Sequence, residues 1–202
     1  FWQDSKVILE NRQLALLIVV LCAVQFGGQI VGPILPVFVQ QLGGNSANAA
    51  ALAGNVFSIA GVCSAVTAVV IGRLMDRRGR FRLILIGATL GSALLNIPQA
   101  FVTDINQLYI LRGLEGLVLG GMLATSSTML SLGTPRERRG AAIGLSAGAN
   151  SAGAAIGQLG GSTIAGIFGI RSVFLCTAGV LAMVCAAVAI GVKEPREDED
   201  DA

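Results

Sequence analysis

Gly72-Arg73-Leu74-Met75-Asp76-Arg77-Arg78-Gly79-Arg80-Phe81-Arg82-Leu83 decides how the rest of the chain is read. Five arginines and one aspartate fall within this stretch, and apolar runs of membrane length flank it on both sides. The simplest arrangement with that pattern is a short cytoplasmic loop between two membrane helices, because cytoplasmic loops concentrate Lys and Arg. The remaining segments can be oriented from it.

Composition agrees with a membrane protein. Of 202 residues, 53% are hydrophobic and only 13% are charged. A soluble domain carries about 25% charged residues, and the mean hydropathy here is +0.74. The net charge of +2 does not indicate a nucleic-acid partner, since the basic residues lie mostly in short loops between apolar runs. Histidine is absent, and Cys22, Cys63, Cys176 and Cys185 are scattered through apolar runs without metal-ligand spacing. They read as small apolar packing residues, so no metal and no cofactor is expected.

Working outward from the arginine cluster gives six apolar runs. The preceding run spans about Asn48 to Ile71, after an uncharged turn at Gly43-Gly44-Asn45. Before that lies Leu14 to Gln41, interrupted by Pro33 and Pro36, which a membrane helix tolerates as a kink. Downstream come Leu83 to Val102, a turn at Asp104, Ile105 to Leu132, the loop Thr134 to Arg139, Gly140 to Ile167 and Ser172 to Val192. Residues 1–13 form a polar cytoplasmic linker, 14–192 the transmembrane domain, and 193–202 an acidic cytoplasmic tail. The chain lacks an initiator methionine and opens as if in the middle of something longer. Arg73, Arg77, Arg78, Arg80, Arg82, Arg136, Arg138 and Arg139 all fall on one side; the opposite loops carry Asp104 and Arg171. The expectation is an all-α bundle of six membrane helices with both termini in the cytoplasm.

Glycine is expected to pack these helices. Gly144, Gly148, Gly153, Gly157 and Gly161 recur at four- and five-residue steps, with Gly116 and Gly120 in the fourth run. Lipid offers no hydrophobic force between helices, so small residues that admit close backbone approach take its place.

Two residues are costly where they sit. At 1.5 Å per residue, Arg112 lies about 10 Å and Glu115 about 15 Å from the outer end of the fourth run. Charges at that depth are functional candidates by default. Being three apart they share a helix face and can pair. The pair is either a structural brace or part of a water-accessible wall that responds to protons or substrate. Gln25 and Gln29 share one face of the first run, and Asn55 and Asn150 are polar within other runs. Asn96, Gln99 and Gln158 are further in-span polar residues that line a polar path or bond across helices.

Enzyme readings fail. Gly144-Leu145-Ser146-Ala147-Gly148 spells the Gly-x-Ser-x-Gly elbow. No histidine can act as its base, and its surroundings are a helical glycine ladder. A Ser–Lys dyad lacks a lysine within any run, and no Gly-Lys-Ser/Thr phosphate loop occurs.

The arginine stretch resembles the signature loop of the major facilitator superfamily, Gly-x-Leu-x-Asp-Arg-x-Gly-Arg, between the second and third helices of a six-helix half. Leu111-Arg112-Gly113-Leu114-Glu115-Gly116 is similar to that family's fourth-helix motif, with Glu115 where many members carry Gln. Gly144, Gly153, Gly157 and Gly161 resemble its antiporter motif, although Gln158 stands where a proline usually follows the third glycine. Pro33 to Pro36 and Gly169 to Phe174 are further echoes. The resemblance implies one half of a twelve-helix secondary transporter of the drug:proton antiporter branch, in a bacterial inner membrane. Its partners would be the bilayer, the other half of the chain or a second copy, a small-molecule substrate and protons. The starting residue, the altered antiporter motif and the acidic ending favour the second half. Arg112 and Glu115 would form the ionisable centre on the substrate or proton pathway, with Gln25, Gln29, Asn55 and Asn150 as cavity contacts. Gly72, Asp76, Arg77, Gly79 and Arg80 would form a cytoplasmic gate that holds one access state. The alternatives are a transporter of sugars or organic anions, and a non-transporting six-helix partner or structural subunit.

Overall fold

The computed structural model describes residues 12–42, 46–78, 81–135 and 139–191. Seven α-helices run through them: α1 (Arg12–Gln29), α2 (Leu35–Gln41), α3 (Ser46–Arg78), α4 (Phe81–Gln99), α5 (Ile105–Leu132), α6 (Arg139–Phe168) and α7 (Ile170–Gly191). No strand occurs among the described residues. The first apolar run is broken, not merely kinked: a 3₁₀ turn at Gly32–Ile34 separates α1 from α2. Pro33 and Pro36 each fall in the first turn of the segment they begin, where a missing N–H costs nothing. Asp104 starts α5 by accepting a hydrogen bond from the Asn106 amide at 3.2 Å, as a helix cap does.

Five segments are long and apolar enough to cross a membrane: Leu14–Gln41, Asn48–Leu74, Phe81–Gln99, Ile105–Leu132 and Ile170–Gly191. The sixth, α6, has 30 residues, or about 45 Å of helix. Glycine, alanine and serine dilute its hydropathy, yet it packs along α1 as a full-length partner.

Two pairs of parallel helices are joined through glycine. On α5, a methyl group at Gly116 or Gly120 would overlap the backbone of Ala60 or Ser64 on α3. On α6, one at Gly153, Gly157 or Gly161 would overlap the backbone of Cys22 or Phe26 on α1, or of Ile30 just beyond it. Four-residue steps on each glycine helix therefore match four-residue steps on its partner. At such separations the glycine Cα–H groups meet partner carbonyl oxygens directly.

Gly144 and Gly148 do not join this seam. Gly144 is exposed, and a Cβ at Gly148 would meet nothing within 4 Å. The five-residue step from Gly148 to Gly153 turns the helix by about 140° beyond a full turn, whereas four-residue steps turn it by only about 40°. The motif thus splits across two faces of α6. Nothing within 4 Å approaches a Cβ at Gly72 either.

The antiparallel pair α4 and α7 is tied at both ends. Arg82, at the start of α4, donates to the Ala189 carbonyl near the end of α7. Arg171, at the start of α7, donates to the Val102 carbonyl just beyond α4, at 3.4 Å. The buried apolar residues form two clusters. One holds Leu21, Leu85, Met122 and Val188; the other holds Ile30, Phe38, Leu108 and Phe174.

Candidate functional site

Beside the second cluster, α4 presents polar residues to α5. Thr89, Ser92, Asn96 and Gln99 recur at steps of three, four and three, so they share one face, and all four are fully buried. Opposite them the Asp104 cap fixes the start of α5, and with it the depth of Arg112 and Glu115.

The Glu115 carboxylate receives three donors. Arg112 Nη1 lies 2.9 Å from Oε2. Gln99 Nε2 donates to the same oxygen at 3.0 Å, and Asn96 Nδ2 donates to Oε1 at 2.9 Å. Both amides are also anchored to their own helix, Asn96 to the Ser92 carbonyl at 2.9 Å and Gln99 to the Leu95 carbonyl at 3.2 Å. Each amide nitrogen thus bridges a carbonyl one turn back and the carboxylate across the seam. Flipping either amide would set its oxygen against that carbonyl, so both are committed as donors.

Arg112 is 7% exposed and Glu115 3%. The guanidinium carbon sits 5.7 Å from the Phe174 ring centroid on α7, within cation–π range. Phe174 in turn packs on Phe38 of α2, with centroids 5.1 Å apart. One buried charge pair is thereby linked to α2, α4, α5 and α7. Such a pair is tolerated in a low-dielectric interior only when the remaining lone pairs and protons find partners. The carboxylate meets that condition, while Arg112 Nε and Nη2 have no partner among the described residues.

The sequence placed Arg112 and Glu115 together, and they are together. It did not assign Asn96, Gln99 or Phe174 to them; the three-four-three polar stripe on α4 was the signal available. Gln25, Gln29 and Asn150 are half-buried, and Asn55 is exposed on α3. None of these four hydrogen-bonds to Arg112 or Glu115. Gly79 and Arg80 lie outside the described residues, as do the side chains of Asp76 and Arg77. Ser146 of the apparent elbow lies mid-helix in α6, its hydroxyl donating to the Ile143 carbonyl at 2.8 Å; a nucleophile elbow needs a strand-to-helix turn. The cysteines are free thiols, three of them half-buried and Cys176 exposed.

A bundle of long apolar helices, seamed by glycine and holding an ion pair at depth, defines a polytopic membrane protein. The family model of the Major Facilitator Superfamily matches residues 17–202, and the chain belongs to that family. It is 36% identical over 174 residues to the multidrug resistance protein MdtG of Escherichia coli K12, covering 86% of this chain and 42% of that protein. The MdtG of Salmonella paratyphi C is 37% identical over 153 residues, 75% of this chain and 37% of that protein. The chain therefore spans about two fifths of the length of these curated relatives.

Proposed function

We propose that this chain forms one six-helix half, the second, of a secondary transporter that exports small lipophilic compounds or drugs in exchange for protons. The bacterial inner membrane would be its site, with the arginine-rich loop and both chain ends in the cytoplasm. The observation that carries the reading is the Arg112–Glu115 pair, held about 10–15 Å down a membrane-length helix. Charge at such depth is rarely retained without a role in an ion or substrate path. Relatives described as multidrug resistance proteins support the export of drugs.

In this reading Arg112 and Glu115 are the ionisable centre. Gln25, Gln29, Asn55 and Asn150 are cavity contacts, and Gly72, Asp76, Arg77, Gly79 and Arg80 act in the cytoplasmic gate. Transporters of this architecture work by rocking two halves around a central site.

The test uses the open reading frame encoding this chain, in sealed vesicles with an imposed proton gradient and a fluorescent cationic dye. Gradient-dependent efflux is expected, and Asp76→Ala should abolish it. Proton-coupled transport that survives Glu115→Gln combined with Arg112→Ala would remove the ionisable centre from this pair. Absence of efflux for cationic dyes, neutral drugs and organic anions alike would overturn the export reading.

A further inference from the structure

The carboxylate of Glu115 is served by two amides that α4 has already fixed in place, and this arrangement asks for more than burial. A free amide would also turn its nitrogen to a carboxylate, but its rotamer would then be set by that contact alone. Asn96 and Gln99 are instead each locked nitrogen-first by a carbonyl one turn back on their own helix, at 2.9 and 3.2 Å. Their nitrogens then reach separate oxygens of one carboxylate, at 2.9 and 3.0 Å. Those two bonds fix the position and plane of the carboxylate, and Arg112 docks on it through Nη1 alone, at 2.9 Å. The guanidinium is then steadied from beneath by Phe174.

We propose that Asn96 and Gln99 are positioning residues for transport: acting through Glu115 they fix Arg112 and latch α4, α5 and α7 into one unit, without touching the transported compound. The inference rests on the transporter reading above. Both amides are fully enclosed, at 0% exposure, so neither can line a path for a solute while this arrangement persists. Rocking requires a half to move as one body, and the α4–α5 seam has no backbone-to-backbone glycine contact of the kind that binds α3 to α5. Along α4, Gly87 faces open space and Gly91 meets only the Val118 side chain. The latch supplies that cohesion.

The experiment measures substrate-dependent transport per folded molecule for the full open reading frame in proteoliposomes, with a cationic dye as probe. The variants are Asn96→Leu, Gln99→Met, Glu115→Gln and the two amide variants each combined with Glu115→Gln. Leu and Met keep the volume while removing the donor. Each amide variant is expected to lower maximal velocity about fivefold or more while leaving KM within about twofold. In the Glu115→Gln background, where the ionisable centre is already removed, the fall in melting temperature caused by the same changes should shrink, because the group they act through has been altered. A rise in KM with unchanged velocity would place the amides on the substrate path and overturn the proposal. So would full additivity of the melting-temperature losses with Glu115→Gln. If Asn96→Leu does not fold, Gln99→Met reports on the other carboxylate oxygen.

If the unmutated protein moves no compound, the transport reading fails and the latch is read separately, from melting temperatures in detergent. The loss caused by Asn96→Leu should then shrink to less than a third in the Glu115→Gln background. An undiminished loss would overturn the latch as well.

Discussion

The α3–α5 and α1–α6 seams are made of backbone against backbone, whereas α4 meets α5 through side chains gathered around one carboxylate. The difference shows two ways to join helices in lipid, where apolar faces gain nothing by leaving the hydrocarbon. A glycine seam works by lacking atoms, so it is vulnerable to addition. A polar seam works by keeping the donors of one carboxylate in place, so it is vulnerable to subtraction. Substitutions on the two seams should therefore fail in opposite ways.

The largest effect is expected at the polar seam. Glu115→Leu puts an apolar side chain of similar volume in place of the carboxylate and leaves the Arg112 guanidinium buried without its counter-charge. Breaking a buried pair from one side costs about 3–5 kcal/mol, readable as a fall in unfolding free energy in mixed micelles. The double change Glu115→Leu with Arg112→Met should recover much of that loss, since it removes both charges together. A single substitution costing less than about 1 kcal/mol would mean that the pair is hydrated and the seam is not polar in the sense argued here.

At the glycine seam the sharpest comparison lies within one helix. Gly157→Ala places a methyl 2.6 Å from the Phe26 carbonyl oxygen, with backbone that cannot swing aside. It should destabilise by about 1–3 kcal/mol, even though alanine is the better helix former by about 1 kcal/mol. Gly148→Ala on the same helix meets nothing within 4 Å and should be neutral or slightly stabilising in this chain. Thermal unfolding of both variants in one detergent checks the sign. Equal losses would mean that α6 does not have one packed and one open glycine face.

How far these seams could be read from the sequence depended on whether the interacting groups shared a helix. Arg112 and Glu115 are three residues apart, and helical geometry alone brings them together. Membrane-length runs, their order and the glycine helices were legible for the same local reason. Asn96 and Gln99 were visible as polar residues but not as ligands of Glu115, because their pairing needs the register between antiparallel α4 and α5. Nothing in either run states that register. The glycines of α6 from Gly144 to Gly161 misled in a smaller way: Gly144, Gly148, Gly153, Gly157 and Gly161 look like one ladder, yet the single five-residue step puts Gly144 and Gly148 on a different face. Two prolines likewise suggested a kink in the first run, where the structure has a full interruption by 3₁₀ turn.

That interruption matters to the polar seam, because it sets Phe38 of α2 against Phe174 and so beneath Arg112. Phe174→Leu removes the ring face from the guanidinium while keeping a buried apolar side chain. A loss of about 1–2 kcal/mol is expected from the cation–π contact and the lost volume together. If the same change costs equally in an Arg112→Met background, the ring acts only as filler, and α7 does not belong to the polar seam.

The smallest effects should come from the third kind of joint, the arginine ties of α4 and α7. Each guanidinium serves carbonyls near a helix C-terminus, where a cation is favoured by about 0.3–1 kcal/mol. Arg171 is exposed, and its bond to the Val102 carbonyl is long at 3.4 Å. Arg82 is half-buried and donates to the Ala189 carbonyl. Arg171→Met should therefore fall at the bottom of that range and Arg82→Met at or somewhat above the top. The two ties sit at opposite ends of an antiparallel pair and share no partner, so the double variant should equal the sum within about 0.5 kcal/mol. The seam around Glu115 makes the contrasting forecast, since there Asn96 and Gln99 share one carboxylate and their losses should not add. Additivity at the ties together with non-additivity at the cluster would separate a pair of independent clasps from a single coupled latch.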